Sequence, residues 1–199
     1  MEKNEAEKPS LSVKAILVGN SGVGKTSIIT RLNSKTFTDT IESTVCAAYY
    51  TKEMQFDDRT ITLRIWDTAG QEVYKSLTNV FFRDSMIVFV VFDVTDQKSF
   101  FNVPDWIQQA RSLASPNAAI VIVGNKVDLV EKRLITPTEI EELAESNDAI
   151  STETSAKSGL GVEKMFQSGL AELISKNEDV FNDANAKLKS AQERSTGCC

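Results

Sequence analysis

Gly19-Asn20-Ser21-Gly22-Val23-Gly24-Lys25-Thr26 fits the pattern G-x-x-x-x-G-K-[ST], and the reading of the whole chain follows from it. The apolar run before it, Val13-Lys14-Ala15-Ile16-Leu17-Val18, reads as a buried strand. The stretch after it, Ser27-Ile28-Ile29-Thr30-Arg31-Leu32, reads as the start of a helix. Strand, loop and helix in this order let the loop wrap a phosphate, because amides at a helix N-terminus lack partners within the helix and point at the anion. Backbone N–H groups from Gly22 through Val23 and Gly24 to Lys25 are expected to converge on phosphate oxygens, with Lys25 neutralising the outer ones. Thr26 would offer its hydroxyl to Mg²⁺. Glycines suit the loop because its backbone has to approach the anion and adopt φ values that a Cβ disfavours.

Further along, the chain alternates strands with helices. Phe37 to Thr44 has no clear period and reads as a surface loop. Ala47 to Phe56 alternates imperfectly, as an edge strand does. Asp57-Asp58-Arg59 is a turn, and Ile61 to Trp66 is the returning strand of the hairpin. A weakly periodic stretch, Glu72 to Arg83, suggests a short helix. Met86 to Phe92 and Ala119 to Val123 are apolar at nearly every position, which suits parallel strands buried on both faces. Between them a helical pattern carries Phe100, Val103, Trp106, Ile107 and Leu113, ending near Ser115-Pro116-Asn117. Thr136-Pro137-Thr138-Glu139 has the marks of a helix start, with a Thr cap, Pro in the first turn and Glu placed for a capping box. Ile140, Leu143 and Ala144 would face inward from that helix. Ala149 to Glu153 is a short last strand, and Val162, Met165, Phe166, Leu170, Leu173 and Ile174 mark one face of a final helix.

This alternation predicts an α/β fold: a six-stranded, mostly parallel sheet with one antiparallel edge strand and helices on both faces. Ligands of such sheets bind at the carboxyl ends of the strands, where the phosphate loop, Asp67 and Asn125 all fall.

Composition narrows the chemistry. The chain has 199 residues, 41% apolar and 25% charged, as expected of one globular domain with a sizeable core. A net charge of −6 without a basic block argues against sequence-independent nucleic-acid binding. Histidine is absent, which removes the usual general base and the commonest metal ligand. Chemistry here has to work through positioning, Lys, carboxylates, amides and a hard metal. The polar start Met1-Glu2-Lys3-Asn4-Glu5 shows no secretory pattern, and no apolar run is long enough to span a bilayer. Cys46 is internal and Cys198 and Cys199 stand at the end, so a disulfide scaffold is not expected. These features lead us to expect a cytosolic protein with a disordered lead-in at 1–12, one folded domain at 13–175 and a flexible tail at 176–199.

Three more clusters carry chemistry. Asp67-Thr68-Ala69-Gly70-Gln71 places a carboxylate at a strand end, where it can hold Mg²⁺ directly or through a water. In Asn125-Lys126-Val127-Asp128, the Asp can accept two N–H groups from a guanine edge, an arrangement that adenine does not present. Glu153-Thr154-Ser155-Ala156-Lys157 follows the last strand and so lies at the same edge.

Together these motifs resemble the Ras-superfamily small GTPases, and most closely the Rab family, across residues 13 to 175. Rab-like features are Trp66-Asp67-Thr68-Ala69-Gly70-Gln71-Glu72, the Asp-Asp turn before it and the Cys-Cys ending; Tyr74-Lys75-Ser76-Leu77, Ser115-Pro116-Asn117 and Ala47-Ala48 resemble the early-endosomal branch. The resemblance implies GTP or GDP with Mg²⁺ as ligands. Gly19 to Thr26 would bind phosphate and Ser27 would contact the α-phosphate. Phe37 would pack on the base, or else serve as a satellite of the core. Thr26, Thr44 and Asp67 would serve Mg²⁺, Thr44 doing so when the γ-phosphate is present. Gly70 would donate its N–H to that phosphate, and Gln71 would orient the attacking water while Lys25 meets the charge. Asn125, Lys126 and Asp128 would bind guanine, braced by Ser155, Ala156 and Lys157. Trp66, Phe81 and Tyr49 would form the aromatic surface that effectors read.

The same resemblance implies a monomer that meets a guanine nucleotide exchange factor, a GTPase-activating protein, a GDP-dissociation inhibitor or escort protein, and effectors at switches I and II. Cys198 and Cys199 would carry two geranylgeranyl groups, which suffice for stable anchoring. That places the chain on the cytoplasmic face of intracellular membranes, endosomal vesicles in particular, cycling with the cytosol. One departure stands out: where Rab chains usually carry Thr-Ile-Gly in switch I, this chain has Thr44-Val45-Cys46. A small GTPase of another branch, a phosphate-loop kinase and a scaffold locked on GTP are the alternatives.

Overall fold

The apolar runs become a sheet whose central strands are covered on both sides. The structure is a computed structural model and describes residues 11–37, 48–56, 59–68, 80–179 and 181. In chain order its elements are β1 (Leu11–Val18), α1 (Lys25–Ser34), β2 (Ala48–Phe56), β3 (Arg59–Asp67), β4 (Ile87–Asp93), α2 (Gln97–Phe101), α3 (Val103–Leu113), β5 (Ala119–Asn125), α4 (Pro137–Glu145), β6 (Ile150–Glu153) and α5 (Val162–Lys176). Residues 80–82 are also helical. The strands form one six-stranded sheet in the order β2-β3-β1-β4-β5-β6. β2 pairs antiparallel with β3, and every other pairing is parallel. The expected fold, including its antiparallel edge strand, is the observed one.

Side-chain alternation sorts the core into two layers. Val13, Ala15 and Leu17 of β1 point to one face with Leu63, Ile65, Ile87, Phe89 and Val121, where they meet Ile28, Ile29 and Leu32 of α1 and Phe166, Leu170 and Leu173 of α5. Ile16 and Val18 point to the other face with Val88, Val90, Phe92, Ile120 and Ile122, covered by Val103, Ile107 and Ala110 of α3 and Ile140 and Ala144 of α4. All seven residues of β4 and of β5 are buried, which explains why their sequences do not alternate. Each fully buried Leu, Ile or Phe contributes about 1.5–3 kcal/mol, so the two layers carry most of the stability. At α4 the capping box forms as read: the Glu139 N–H donates to Thr136 Oγ1 at 3.3 Å, and the Thr136 N–H donates to Glu139 Oε2 at 2.8 Å.

Three boundaries differ from expectation. β1 begins at Leu11, inside the segment read as lead-in, because Leu11 and Ser12 continue the parallel register against Ile61 and Thr62. The single helix expected after β4 is two, α2 and α3, split at Asn102. Pro104 lies in the first turn of α3, and lacking an N–H it cannot extend the α2 ladder. Beyond α5, Phe181 is 2% exposed and belongs to the layer under α1 and α5, and Lys176 bonds Asp148 at 3.2 Å. The packed chain therefore runs past residue 175, into the stretch read as tail.

Phe181→Ala should lower the stability of the full chain by about 3 kcal/mol, the usual loss for a buried phenyl group. Truncation after Val180 should cost at least as much, because it removes the same buried ring. Denaturant unfolding of the three chains measures both; equal stability of the Phe181→Ala and full chains would place Phe181 outside the folded unit.

Candidate nucleotide site

The parallel strands bring Gly19, Asp67, Asp93, Asn125 and Thr154 to one edge of the sheet. The loop after β1 turns there on positive φ values, 137° at Gly19 and 98° at Gly24. A Cβ on Gly19 would lie 2.0 Å from the Val91 carbonyl oxygen, and one on Gly24 would lie 2.4 Å from Asn125 Nδ2. These two glycines are therefore fixed by backbone conformation and by close approach together.

Lys25, the first residue of α1, is 5% exposed. Its ammonium donates to the carbonyl oxygens of Gly19 and Asn20, each at 2.8 Å, which leaves one of its three N–H groups for a phosphate. Burial pulls its pKa down to about 8, against the opposing pull of Asp67. Asn20 is held in turn by Trp106 of α3, whose Nε1–H donates to Asn20 Oδ1 at 3.2 Å.

Thr26 donates its hydroxyl to Asp67 Oδ2 at 2.7 Å. Asp67 is fully buried. Burial raises its pKa, while the Thr26 bond and the Lys25 charge oppose that shift. Its other oxygen, Oδ1, is buried without a hydrogen-bond partner among the described residues. An unpaired buried carboxylate oxygen is costly, and one beside a hydroxyl is the hard oxygen pair that Mg²⁺ takes. The donor set fits the ion: Thr26 and Asp67 would hold it beside the phosphates, Asp67 directly or through water.

Asn125 ends β5 and joins three segments. Its amide Nδ2 donates to the Val23 carbonyl at 2.8 Å, and its Oδ1 accepts from Thr154 Oγ1 at 3.1 Å and from the Ala156 N–H at 3.2 Å. Its side chain thus ties the phosphate loop to the loop after β6, a positioning role that the reading of Asn125 as a base contact did not contain. Lys126 donates to the Gly22 carbonyl at 2.8 Å. Asp128 accepts from Ser155 Oγ at 2.6 Å, which aims its carboxylate from the same loop pair. Ser155 and Ala156 are buried, and Lys157 is exposed.

The sequence reading missed Arg31. From α1 its guanidinium donates to the Ala156 carbonyl at 2.7 Å, to the Lys157 carbonyl and to the Lys35 carbonyl. It clamps the loop after β6 onto the helix that carries Lys25 and Thr26. No periodicity marks such a bond. Trp106 was read as core, and it does pack there; its need for an N–H partner is the signal that leads to Asn20. Ser21 and Gly22 are exposed at the mouth of the loop, and Val23 is buried. Ser27 is half-buried on the first turn of α1. Phe37 is half-buried and packs against the layer under α1 and α5. Thr44, Cys46, Gly70, Gln71, Cys198 and Cys199 lie outside the described residues. On the hairpin, Tyr49 and Trp66 meet edge to face at 5.2 Å, and Trp66 meets Phe81 at 5.8 Å, with Tyr49 exposed.

A family model described as the Ras family matches residues 14–175. The chain belongs to the Ras family. As a Ras-family small GTPase it has a guanine-nucleotide switch built on this sheet edge, and the phosphate-loop kinase reading falls away. Members of the family generally bind guanine nucleotide with Mg²⁺.

The Lys25 ammonium gives this Ras-family site a pH signature. Before binding it loses its proton near pH 8, and a phosphate beside it would hold that proton far more tightly. Binding then takes up a proton above about pH 8, so GDP affinity should be level below that pH and fall above it, by up to about tenfold per pH unit. Equilibrium competition between pH 6.5 and 9.5 measures the trend. Constant affinity throughout would mean that Lys25 does not carry the charge that meets the phosphates.

Proposed function

We propose that this Ras-family GTPase is Rab-like: a membrane-attached switch in vesicle trafficking, on the endosomal route, that is ordered by GTP and released by hydrolysis. The observation that carries the switch reading is the buried Oδ1 of Asp67, without a hydrogen-bond partner among the described residues and set beside Thr26 and Lys25 at the strand edge. The Rab assignment is supported by Trp66 to Glu72, the Asp57-Asp58 turn and the Cys198-Cys199 ending.

The reaction is in-line attack of water on the γ-phosphorus of GTP. The bond to the β,γ-bridging oxygen breaks, giving GDP and phosphate. Little covalent chemistry falls to the protein, so positioning and charge dominate. Lys25 meets charge on the outer phosphates and the loop amides cradle them. Mg²⁺, when bound, neutralises charge that develops on the β- and γ-oxygens. Gln71 orients the water, while Gly70 and Thr44 sense the γ-phosphate and order the two switch loops. Tyr49, Trp66 and Phe81 then present the aromatic face that effectors read. An activating protein supplies an arginine, worth about 10³–10⁵ in rate. Exchange factor, dissociation inhibitor and effectors act on this cycle from the cytosolic side. Cys46 in place of the usual glycine would restrict the backbone beside Thr44, and we propose that this alters switch I mobility or partner choice.

Two variants of the full chain test the proposal in its own cells. Gln71→Leu should remain loaded with GTP and stay on membranes. Cys198→Ser with Cys199→Ser should be cytosolic in either nucleotide state. A Gln71→Leu chain that hydrolyses at the normal rate would remove Gln71 from the mechanism, and a parent chain that binds GTP without hydrolysing it would favour a locked scaffold. A Cys198→Ser, Cys199→Ser chain that still pellets with endosomal membranes would contradict the anchoring.

A further inference from the structure

We propose that Asp93 is a positioning residue for the bound guanine nucleotide and acts through Lys126. This inference rests on the guanine-nucleotide reading of the site. Asp93 ends β4, lies in register beside Asn125 of β5, and is buried. Each of its carboxylate oxygens has a defined task. Oδ1 accepts from the Thr95 N–H at 2.8 Å and from Thr95 Oγ1 at 2.7 Å, which fixes the carboxylate in the turn after β4. Oδ2 is 2.6 Å from Lys126 Nζ. The same Nζ donates to the Gly22 carbonyl at 2.8 Å.

Asp93, Lys126 and Gly22 therefore form a strap that runs from β4, across the end of β5, to the middle of the phosphate loop. The Asp93 N–H is itself held by Ser99 Oγ at 3.0 Å, so the far end of the strap is anchored in α2. A lysine stem has high rotamer entropy, and a single bond to a neutral carbonyl orders it weakly. The second, charge-assisted bond to a part-buried carboxylate is what holds the stem extended along the nucleotide cleft. Lys126 also has a left-handed backbone, φ 69°, which is uncommon for a side-chain-bearing residue. Asp93 pins the side chain that this backbone directs toward the phosphate loop.

The prediction is kinetic: loss of the carboxylate charge should loosen Lys126 and the phosphate loop together, and so speed nucleotide release. Release of a fluorescent GDP analogue from the full chain would be measured for the parent, Asp93→Asn, Lys126→Met and the double variant. Asp93→Asn keeps an acceptor for Thr95 and should release the nucleotide about tenfold faster, as expected for one charge-assisted bond lost. In the Lys126→Met background the same change should add less than about twofold, because its partner is gone. Asp93→Ser, which also retains an acceptor in the turn, serves if Asp93→Asn does not fold. Unchanged release in the Asp93 variants overturns the inference. So does equal acceleration in both backgrounds, which would trace the effect to the Thr95 turn. A parent chain that binds no guanine nucleotide would instead defeat the reading on which the inference rests.

Discussion

The site depends on one buried amide. Asn125 stands at the end of a strand buried along its whole length, and its side chain reaches the phosphate loop on one side and the loop after β6 on the other. That reach exists because Gly24 has no Cβ; a methyl group there would lie 2.4 Å from the amide nitrogen. The pattern's second glycine and the Asn of the base motif are thus a single packing arrangement, although 101 residues separate them in the sequence. Alter either one, and the phosphate and base halves of the cleft lose their common reference.

Around that joint the loops are held mainly by side chains that donate to main-chain carbonyls. Lys25 takes Gly19 and Asn20, Lys126 takes Gly22, and Arg31 takes Ala156, Lys157 and Lys35. Cations that consume carbonyl oxygens leave the loop N–H groups for an anion, which is the polarity a phosphate needs. Asp67 is the counterweight. Its charge is balanced by Thr26 and Lys25 on one side, while Oδ1 is kept buried and open to a hard cation. A chain of net charge −6 can still hold a polyanion where Lys25 and Lys126 stand at the phosphate loop.

Much of this was legible in the sequence, for local reasons. Unbroken apolar runs identify β4 and β5, and the Thr136 capping box identifies α4 within a few residues. The motif spacing places Lys25, Asp67, Asn125 and Asp128 at one edge once the sheet is taken as parallel. What escaped has a common cause: it depends on pairings between residues far apart. Arg31 looked like one more charge on a helix until its carbonyl partners, more than a hundred residues away, came beside it. Asp93 follows an apolar strand without any motif, and its meaning comes from register with Asn125. Phe181 stands beside Val180 in an otherwise polar stretch, where no period could mark it as core. Pro104, by contrast, is a local signal of the break between α2 and α3, and the reading of one continuous helix did not weigh its missing N–H.

The central claim is that the joint at Asn125 aims Asp128 at a guanine edge while the loop holds the phosphates. Equilibrium affinities of the full chain for GDP and ADP, measured with Mg²⁺ under the same conditions, test it most directly. The two ligands share every phosphate contact and differ at the base. The account predicts that GDP binds more tightly by at least about a thousandfold, since a site built to accept two N–H groups leaves a carboxylate unpaired against adenine. Affinities within tenfold of each other would contradict it and leave a phosphate site without a base to read.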